Sequence, residues 1–287
     1  MSRHAVVFLA NDRYYAWAVT FLESIREHNA GQRLYCIPYD AETGRIRSLR
    51  GAFGFEMVDV DFSALDAFAD RLFPGRPPNR ANLRKYAALQ LDCDEVAYFD
   101  IDMVLLVDPA RLFGHVRPGV LDLVYLSTSP DFVYRRDRLA EARRHFPDMQ
   151  LISAGAFVTS RRALSVEDIV NTVEANRELY LELRREEGLY DQPVLNFALD
   201  RAGKRLRHIE ECDPTLAGLA SFRNPHLAFE GGRLLDLRNG REVAAVHWAG
   251  AVKRGLEVLD PRLWRLGRLR SGFHRRGKQR LAEALVS

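Results

Sequence analysis

Short apolar runs and longer helical periods alternate along the chain. Ala5 to Ala10 is an unbroken apolar run that reads as a strand, and Trp17 to His28 sets Val19, Leu22 and Ile25 at helical spacing. Leu34 to Pro38 reads as a second strand and Phe55 to Val60 as a third. Pro74-Gly75-Arg76-Pro77-Pro78-Asn79 is a loop by composition, and Leu83 to Leu91 then reads as a helix leading into the apolar run Val96 to Phe99. Further on, Asp191-Gln192-Pro193 opens a helical period over Val194 to Leu199, and Ala244-Ala245-Val246 reads as a strand. This alternation predicts an α/β fold whose sheet is mostly parallel at first, with no internal repeat and no low-complexity segment. Ligands of such sheets sit at the carboxyl ends of the strands, where Asn11-Asp12 and Asp100-Ile101-Asp102 both fall.

The run ending in Asp100-Ile101-Asp102 carries the most chemical information. On extended backbone, residues two apart project to the same side, so these two carboxylates are expected to reach one divalent cation together. Packing gives no reason to end an apolar strand in paired carboxylates, which repel each other unless water or a cation compensates them. A solvated turn after a buried strand is the plain alternative. The strand Ala244 to Val246 delivers His247, with Gly250 and Lys253 following at spacings suited to a turn that meets an anion. Asp191 reads either as a helix cap or as a site residue. Together these groups suggest a metal–diphosphate site: two carboxylates and an imidazole suit Mn²⁺ or Mg²⁺, and Lys253 with Arg84-Lys85 would neutralise a departing nucleoside diphosphate.

With 287 residues, 47% of them hydrophobic, the chain can bury a sizeable core, and its 28% charged residues argue against disorder. The apolar stretch near the N-terminus is too short for a signal sequence or a membrane span, so a cytoplasmic location is expected. Cys36, Cys93 and Cys212 lie far apart, suggesting neither disulfides nor a zinc site. Charge redraws the picture at the C-terminus: eight cations and no carboxylate lie between Pro261 and Arg280, so a chain of formal charge +3 carries −5 outside that segment. Leu263, Trp264, Leu266, Leu269 and Phe273 are interleaved with those cations. Residues 1–258 are therefore expected to form the main domain and residues 259–287 a basic amphipathic tail. That tail either lies on an anionic membrane surface or caps the domain with its leucines buried. Nucleic acid is a poor partner, since no recognition motif accompanies the charge.

At this point the chain resembles glycosyltransferase family 8, the family of glycogenin and the bacterial lipo-oligosaccharide galactosyltransferases. The resemblance runs in order from Val6 to Lys253. Val6 to Tyr14 is similar to the opening strand of that family, which implies that Asn11 and Asp12 hold uracil and ribose and that Tyr14 stacks on the base. Arg84-Lys85 matches the basic residue that precedes the D-x-D, with either of the two equivalent to it. Tyr98 to Leu105 matches the metal motif, Ser127 to Asp131 and Asp191-Gln192 with Asn196 resemble later blocks, and His247 to Lys253 fits H-x-x-G-x-x-K. Two positions depart from the pattern: Ser153 stands where the family usually has asparagine, and Arg254-Gly255 follows the lysine in place of Pro-Trp.

The resemblance implies a GT-A fold, a Rossmann-like mixed sheet flanked by helices. It implies a metal-dependent glycosyltransferase moving a hexose from a UDP-sugar to an acceptor hydroxyl with retention at the anomeric carbon. Asp100, Asp102 and His247 would hold the metal; Asp191 and Gln192 would position the sugar; Asn11, Asp12, Tyr14, Arg84 or Lys85, Ser153, Gly250 and Lys253 would hold the donor. The acceptor would be a saccharide or glycoconjugate, and a lipid-linked one would suit the basic tail. Two rivals use the same residues. Asp100-x-Asp102-x-Val104 also fits the D-x-D-x-[TV] pattern of haloacid-dehalogenase-like phosphatases, although those enzymes place this strand near the start of the domain. A non-catalytic nucleotide-sugar-binding protein on the same fold is the other.

Overall fold

A computed structural model of the chain describes residues 4–28, 31–75, 81–185, 191–249 and 261–284. The central element is a seven-stranded sheet built from β1 (His4–Ala10), β2 (Arg33–Pro38), β3 (Phe55–Met57), β4 (Glu95–Phe99), β6 (Leu123–Tyr125), β7 (Ala156–Thr159) and β8 (Leu206–His208). Their order is β3-β2-β1-β4-β7-β6-β8. The strands from β3 to β4 are parallel, β7 runs antiparallel to both β4 and β6, and β8 pairs parallel with β6. The expected early parallel half is thus present, and the reversed β7 makes the whole sheet mixed.

Side-chain alternation explains the layers. In β1, Ala5, Val7 and Leu9 enter one buried cluster while Val6, Phe8 and Ala10 enter another, so both faces of the sheet are covered and the strand reads as continuously apolar. Helix α1 (Tyr15–His28) covers one face with Val19, Leu22 and Ile25. The other face carries α2 (Ser63–Leu72), α3 (Val166–Ala175) and α4 (Asp191–Arg201), together with the segment Ala81–Gln90. That segment winds as a 3₁₀ helix where the sequence predicts an ordinary one. Its leucines, alanines and tyrosine satisfy spacings of three and four alike, so the pattern does not distinguish the two windings. The third strand also stops at Met57, short of the expected Val60.

Two three-stranded sheets complete the fold. One is β10 (Leu227–Glu230), β11 (Arg233–Asp236) and β12 (Arg241–Glu242). The other sets β13 (Ala245–His247) between β5 (Met103–Leu105) and β9 (Leu219–Ser221). The second positions the site: β13 pairs antiparallel with β5, placing His247 opposite Met103. Where β9 begins, Gly218 adopts φ +66°, and a Cβ there would collide with the Leu126 carbonyl, which accepts a hydrogen bond from Leu219.

The basic C-terminal segment forms α5 (Pro261–Ala284), whose side chains are described from Leu269 onward. This part of the helix lies along α1. Phe273 is buried, Gly277 sits so close that a Cβ would meet Val19 Cγ1 at 2.7 Å, and Arg280 grips the buried Glu23 through contacts of 2.9 and 3.0 Å. Of the two readings of the tail, the described stretch follows the capping one. Among the described residues no helix is long and apolar enough to cross a membrane.

Candidate metal and donor site

Three carboxylates, an ammonium and an imidazole converge where β4 ends. Strand pairing continues one residue past Phe99, with the Asp100 amide donating to the Gly155 carbonyl at 2.7 Å. Ile101 and Asp102 then form a turn, and the chain leaves for the second sheet as β5. Asp100 and Asp102 are therefore not juxtaposed by extended-strand alternation, as the sequence reading has it. They are brought together by a turn, and His247 joins them through the β5–β13 ladder. Ligand atoms of Asp100, Asp102 and His247 all lie within 4.8 Å of one another. His247 Nε2 is 3.0 Å from Asp102 Oδ1, and the Trp248 amide donates to the Asp102 carbonyl at 2.9 Å, closing the turn against β13.

Lys85 ties this triad to α4. Its side chain is only 4% exposed, and Nζ lies 3.1 Å from Asp100 Oδ1, 2.6 Å from Asp191 Oδ2 and 3.2 Å from the Ala154 carbonyl. An ammonium has three protons to donate, and these acceptors use all three. Tyr98 adds a second donor to Asp100 at 2.9 Å, and its ring lies under the Lys85 ammonium. Arg84 points elsewhere: its guanidinium forks onto Asp66 and covers the Phe62 ring. Lys85 is thus the member of the basic pair that enters the site. Asp191, the first described residue of α4, spends its carboxylate on Lys85, while its carbonyl accepts from the Tyr86 hydroxyl at 2.6 Å.

Among the described residues the charges do not balance: three carboxylates face one lysine and one histidine, a net negative set even with the imidazole charged. Burial pushes the Asp100 carboxyl up, and the neighbouring Asp102 and Asp191 add to this against the pull of Lys85. Asp102 is held below the usual carboxylate range by His247 despite its burial, and Asp102 in turn holds His247 above its ordinary value. A divalent cation would compensate this excess, and the donor set of two carboxylate oxygens and an imidazole fits Mn²⁺ or Mg²⁺.

Helix α4 is buried on all sides over Asp191 to Leu199, with Pro193 tolerated in its first turn. The Gln192 amide donates to the Ser129 carbonyl at 3.3 Å. Asn196 clamps the backbone of Ile152, accepting from its N–H at 2.9 Å and donating to its carbonyl at 3.0 Å. This holds the segment containing Ser153, whose hydroxyl accepts from the Gly155 amide at 3.3 Å. Gly155 has a role that sequence reading misses. A Cβ there would lie 2.7 Å from Asp100 Oδ2, so only glycine lets the carboxylate occupy its place.

The edge at the end of β1 holds the remaining expected residues. Asn11 is buried and donates to Asp40 Oδ2 at 2.6 Å, while its own Oδ1 is buried with no partner among the described residues. Such an orphan acceptor is uncommon in a folded protein and fits a ligand donor group. Asp12 accepts from the Arg45 and Ile46 amides at 3.1 and 3.0 Å, capping the helical turn Gly44–Ser48 from a distance. Tyr14 ends the 3₁₀ turn Asp12–Tyr14 and packs partly buried against the core. Gly250 and Lys253 lie outside the described residues.

Comparison with known proteins gives no match to any family model and none among curated proteins. Solved structures do match. The galactosyltransferase LgtC, in complex with donor and acceptor sugar analogues, is 17% identical with a TM-score of 0.62, covering 93% of this chain and 95% of its own. The bifunctional glycosyltransferase WbbM in its apo form is 15% identical with a TM-score of 0.59, over 87% of this chain and 46% of its own. Mouse xyloside xylosyltransferase 1, also apo, is 12% identical with a TM-score of 0.55, over 86% and 97%. At these identities the likeness is one of fold, and this chain has the GT-A fold of those glycosyltransferases.

Proposed function

We propose that this chain is a metal-dependent glycosyltransferase of the family 8 type, moving a hexose from a UDP-sugar to a hydroxyl of a saccharide or glycoconjugate with retention. The observation that carries the reading is the net-negative cluster of Asp100, Asp102 and His247, set beside Asp191 at the strand ends of a GT-A fold. A divalent cation held by those three residues supplies the charge neutralisation that a departing diphosphate requires.

The chain's own residues do the rest. Asn11, Asp12 and Tyr14 receive the uridine, with the unpartnered Asn11 Oδ1 accepting from the base. Lys85 acts chiefly as a brace, fixing Asp191 relative to Asp100, and would contact the donor only by exchanging one of its three present acceptors. Asp191 and Gln192 orient the sugar, and Ser153 follows directly on Ile152, whose backbone Asn196 clamps. Lys253 and Gly250 follow His247 closely enough in sequence to meet the diphosphate. Retention rests on the family resemblance, in which the leaving diphosphate accepts the proton of the incoming hydroxyl and no separate base is needed.

Against the phosphatase alternative stands the place of the Asp100 strand, the fourth in chain order and not the opening one. A cytoplasmic protein acting on a lipid-linked acceptor at an anionic membrane face is the location we favour. On the described part of α5, Arg275 and Lys278 are exposed while Phe273 and Gly277 are buried, so such contact would be electrostatic and sensitive to salt.

A panel of UDP-hexoses tests the reading, with UDP-galactose tried first because LgtC is a galactosyltransferase. Release of UDP that needs Mn²⁺ and disappears in Asp102→Asn is the expected result. Equal release by wild type and variant would contradict it.

A further inference from the structure

The basic helix at the C-terminus is bound up with the residues that hold the candidate metal. Phe273, only 2% exposed, belongs to a small buried cluster with Val104 of β5, Val246 of β13, and Trp248. These are the strands and the residue that set Asp102 against His247: Val104 pairs with Val246, and the Trp248 amide closes the Asp102 turn. Trp17 of α1 packs on the same cluster, and the Arg270 guanidinium lies 4.7 Å above its ring.

A second connection runs through α1. Arg280 and Arg276 of α5 pair with Glu23 and Glu27 of α1, and His274 Nδ1 lies 3.2 Å from the Ala16 carbonyl. From α1, Ser24 Oγ accepts from the Leu105 amide at 3.0 Å, fixing β5 three residues beyond Asp102. One helix face, bearing Phe273, Gly277 and Arg280, therefore reaches β5 and β13 directly through Phe273 and reaches β5 a second time by way of α1.

We propose that α5 is a working part of the candidate metal site, and that Phe273 is a positioning residue which, through Trp248, holds His247 against Asp102. The inference rests on the reading of Asp100, Asp102 and His247 as metal ligands. A helix that served stability alone would leave the metal affinity of folded protein unchanged. A buttress must change it, because outer groups that orient ligands typically alter metal affinity by about ten- to a hundredfold.

Mn²⁺ binding, read from the electron paramagnetic resonance signal of free aqueous Mn²⁺, is the test. It compares full-length wild type with Phe273→Ala, Phe273→Leu and Lys278→Ala, at a temperature where circular dichroism shows each one folded. The expected result is affinity weakened about tenfold in Phe273→Ala, weakened less in Phe273→Leu, and unchanged in Lys278→Ala on the exposed face. Should Phe273→Ala fail to fold, the comparison of Phe273→Leu with Lys278→Ala decides. Wild-type affinity in the folded Phe273 variants would overturn the positioning role while leaving the metal reading intact. A wild type that takes up no Mn²⁺ would overturn both.

Discussion

Individual residues show how closely the site is built around its carboxylates. Gly155 leaves no room for even a methyl group, because a Cβ would press on Asp100 Oδ2 at 2.7 Å and on Met103 Cε at 3.1 Å. Gly155→Ala should displace Asp100 and lower turnover by about a hundredfold, the scale of a 1 Å misplacement, while the melting temperature changes little. Steady-state kinetics beside a thermal melt checks this, and near-wild-type turnover would show that Asp100 has slack. Asp200 offers a separate and readable titration. Burial lifts its carboxyl from an ordinary value near 3.8 to about 7, against the lowering effect of a 2.6 Å hydrogen bond donated by Tyr134. Between about pH 4 and 7 the folded protein thus holds a proton that the unfolded chain has released. Stability from this group is complete below about pH 4 and is lost as pH rises through about 7. Asp200→Asn keeps an acceptor for Tyr134, so urea unfolding from pH 4 to 8 should lose this part of the downward slope. An unchanged slope would place the titration elsewhere.

Elements are only partly legible in the sequence. Strands β1, β2 and β13 and helix α1 were readable to within one or two residues, because strands covered on both faces read as continuous apolar runs and a helix on a sheet keeps its period. Asp100-x-Asp102 predicts the pair by alternation along a strand, whereas the structure joins the two by a turn and a change of sheet, a difference that a D-x-D pattern does not encode. The role of Lys85 as a brace was hidden as well, since its partners Asp100 and Asp191 are distant in sequence from each other. For the C-terminal segment the interleaved leucines and arginines fitted a membrane surface and a docked helix alike. The buried Glu23, with Arg280 as its partner, is what separates the two. Arg280→Ala should destabilise the protein by about 2 kcal/mol, below the roughly 3–5 kcal/mol of a fully buried pair because the arginine is part-exposed. A chemical denaturation curve measures this, and a change near zero would mean that the other contacts of the helix hold it without the Arg280–Glu23 pair.

For the whole molecule, the fold and the site point the same way from independent directions. The mixed sheet with its reversed β7 is the fold of solved glycosyltransferases, matched at identities too low to carry function. The site adds, among the described residues, a net-negative cluster of carboxylates with an imidazole and, at the adjacent strand end, a buried Asn11 oxygen with no hydrogen-bond partner. Under the proposed function the first takes a cation and the second a polar group of the base. Because the two lie at the carboxyl ends of the neighbouring strands β1 and β4, one nucleotide diphosphate could satisfy both. Calorimetric titration of UDP in the presence of Mn²⁺, repeated without metal and with His247→Ala, tests that claim most directly. The account predicts UDP binding that requires Mn²⁺ and is lost in the variant. Binding of UDP that ignores both the metal and His247, or no binding under any metal condition, would contradict it.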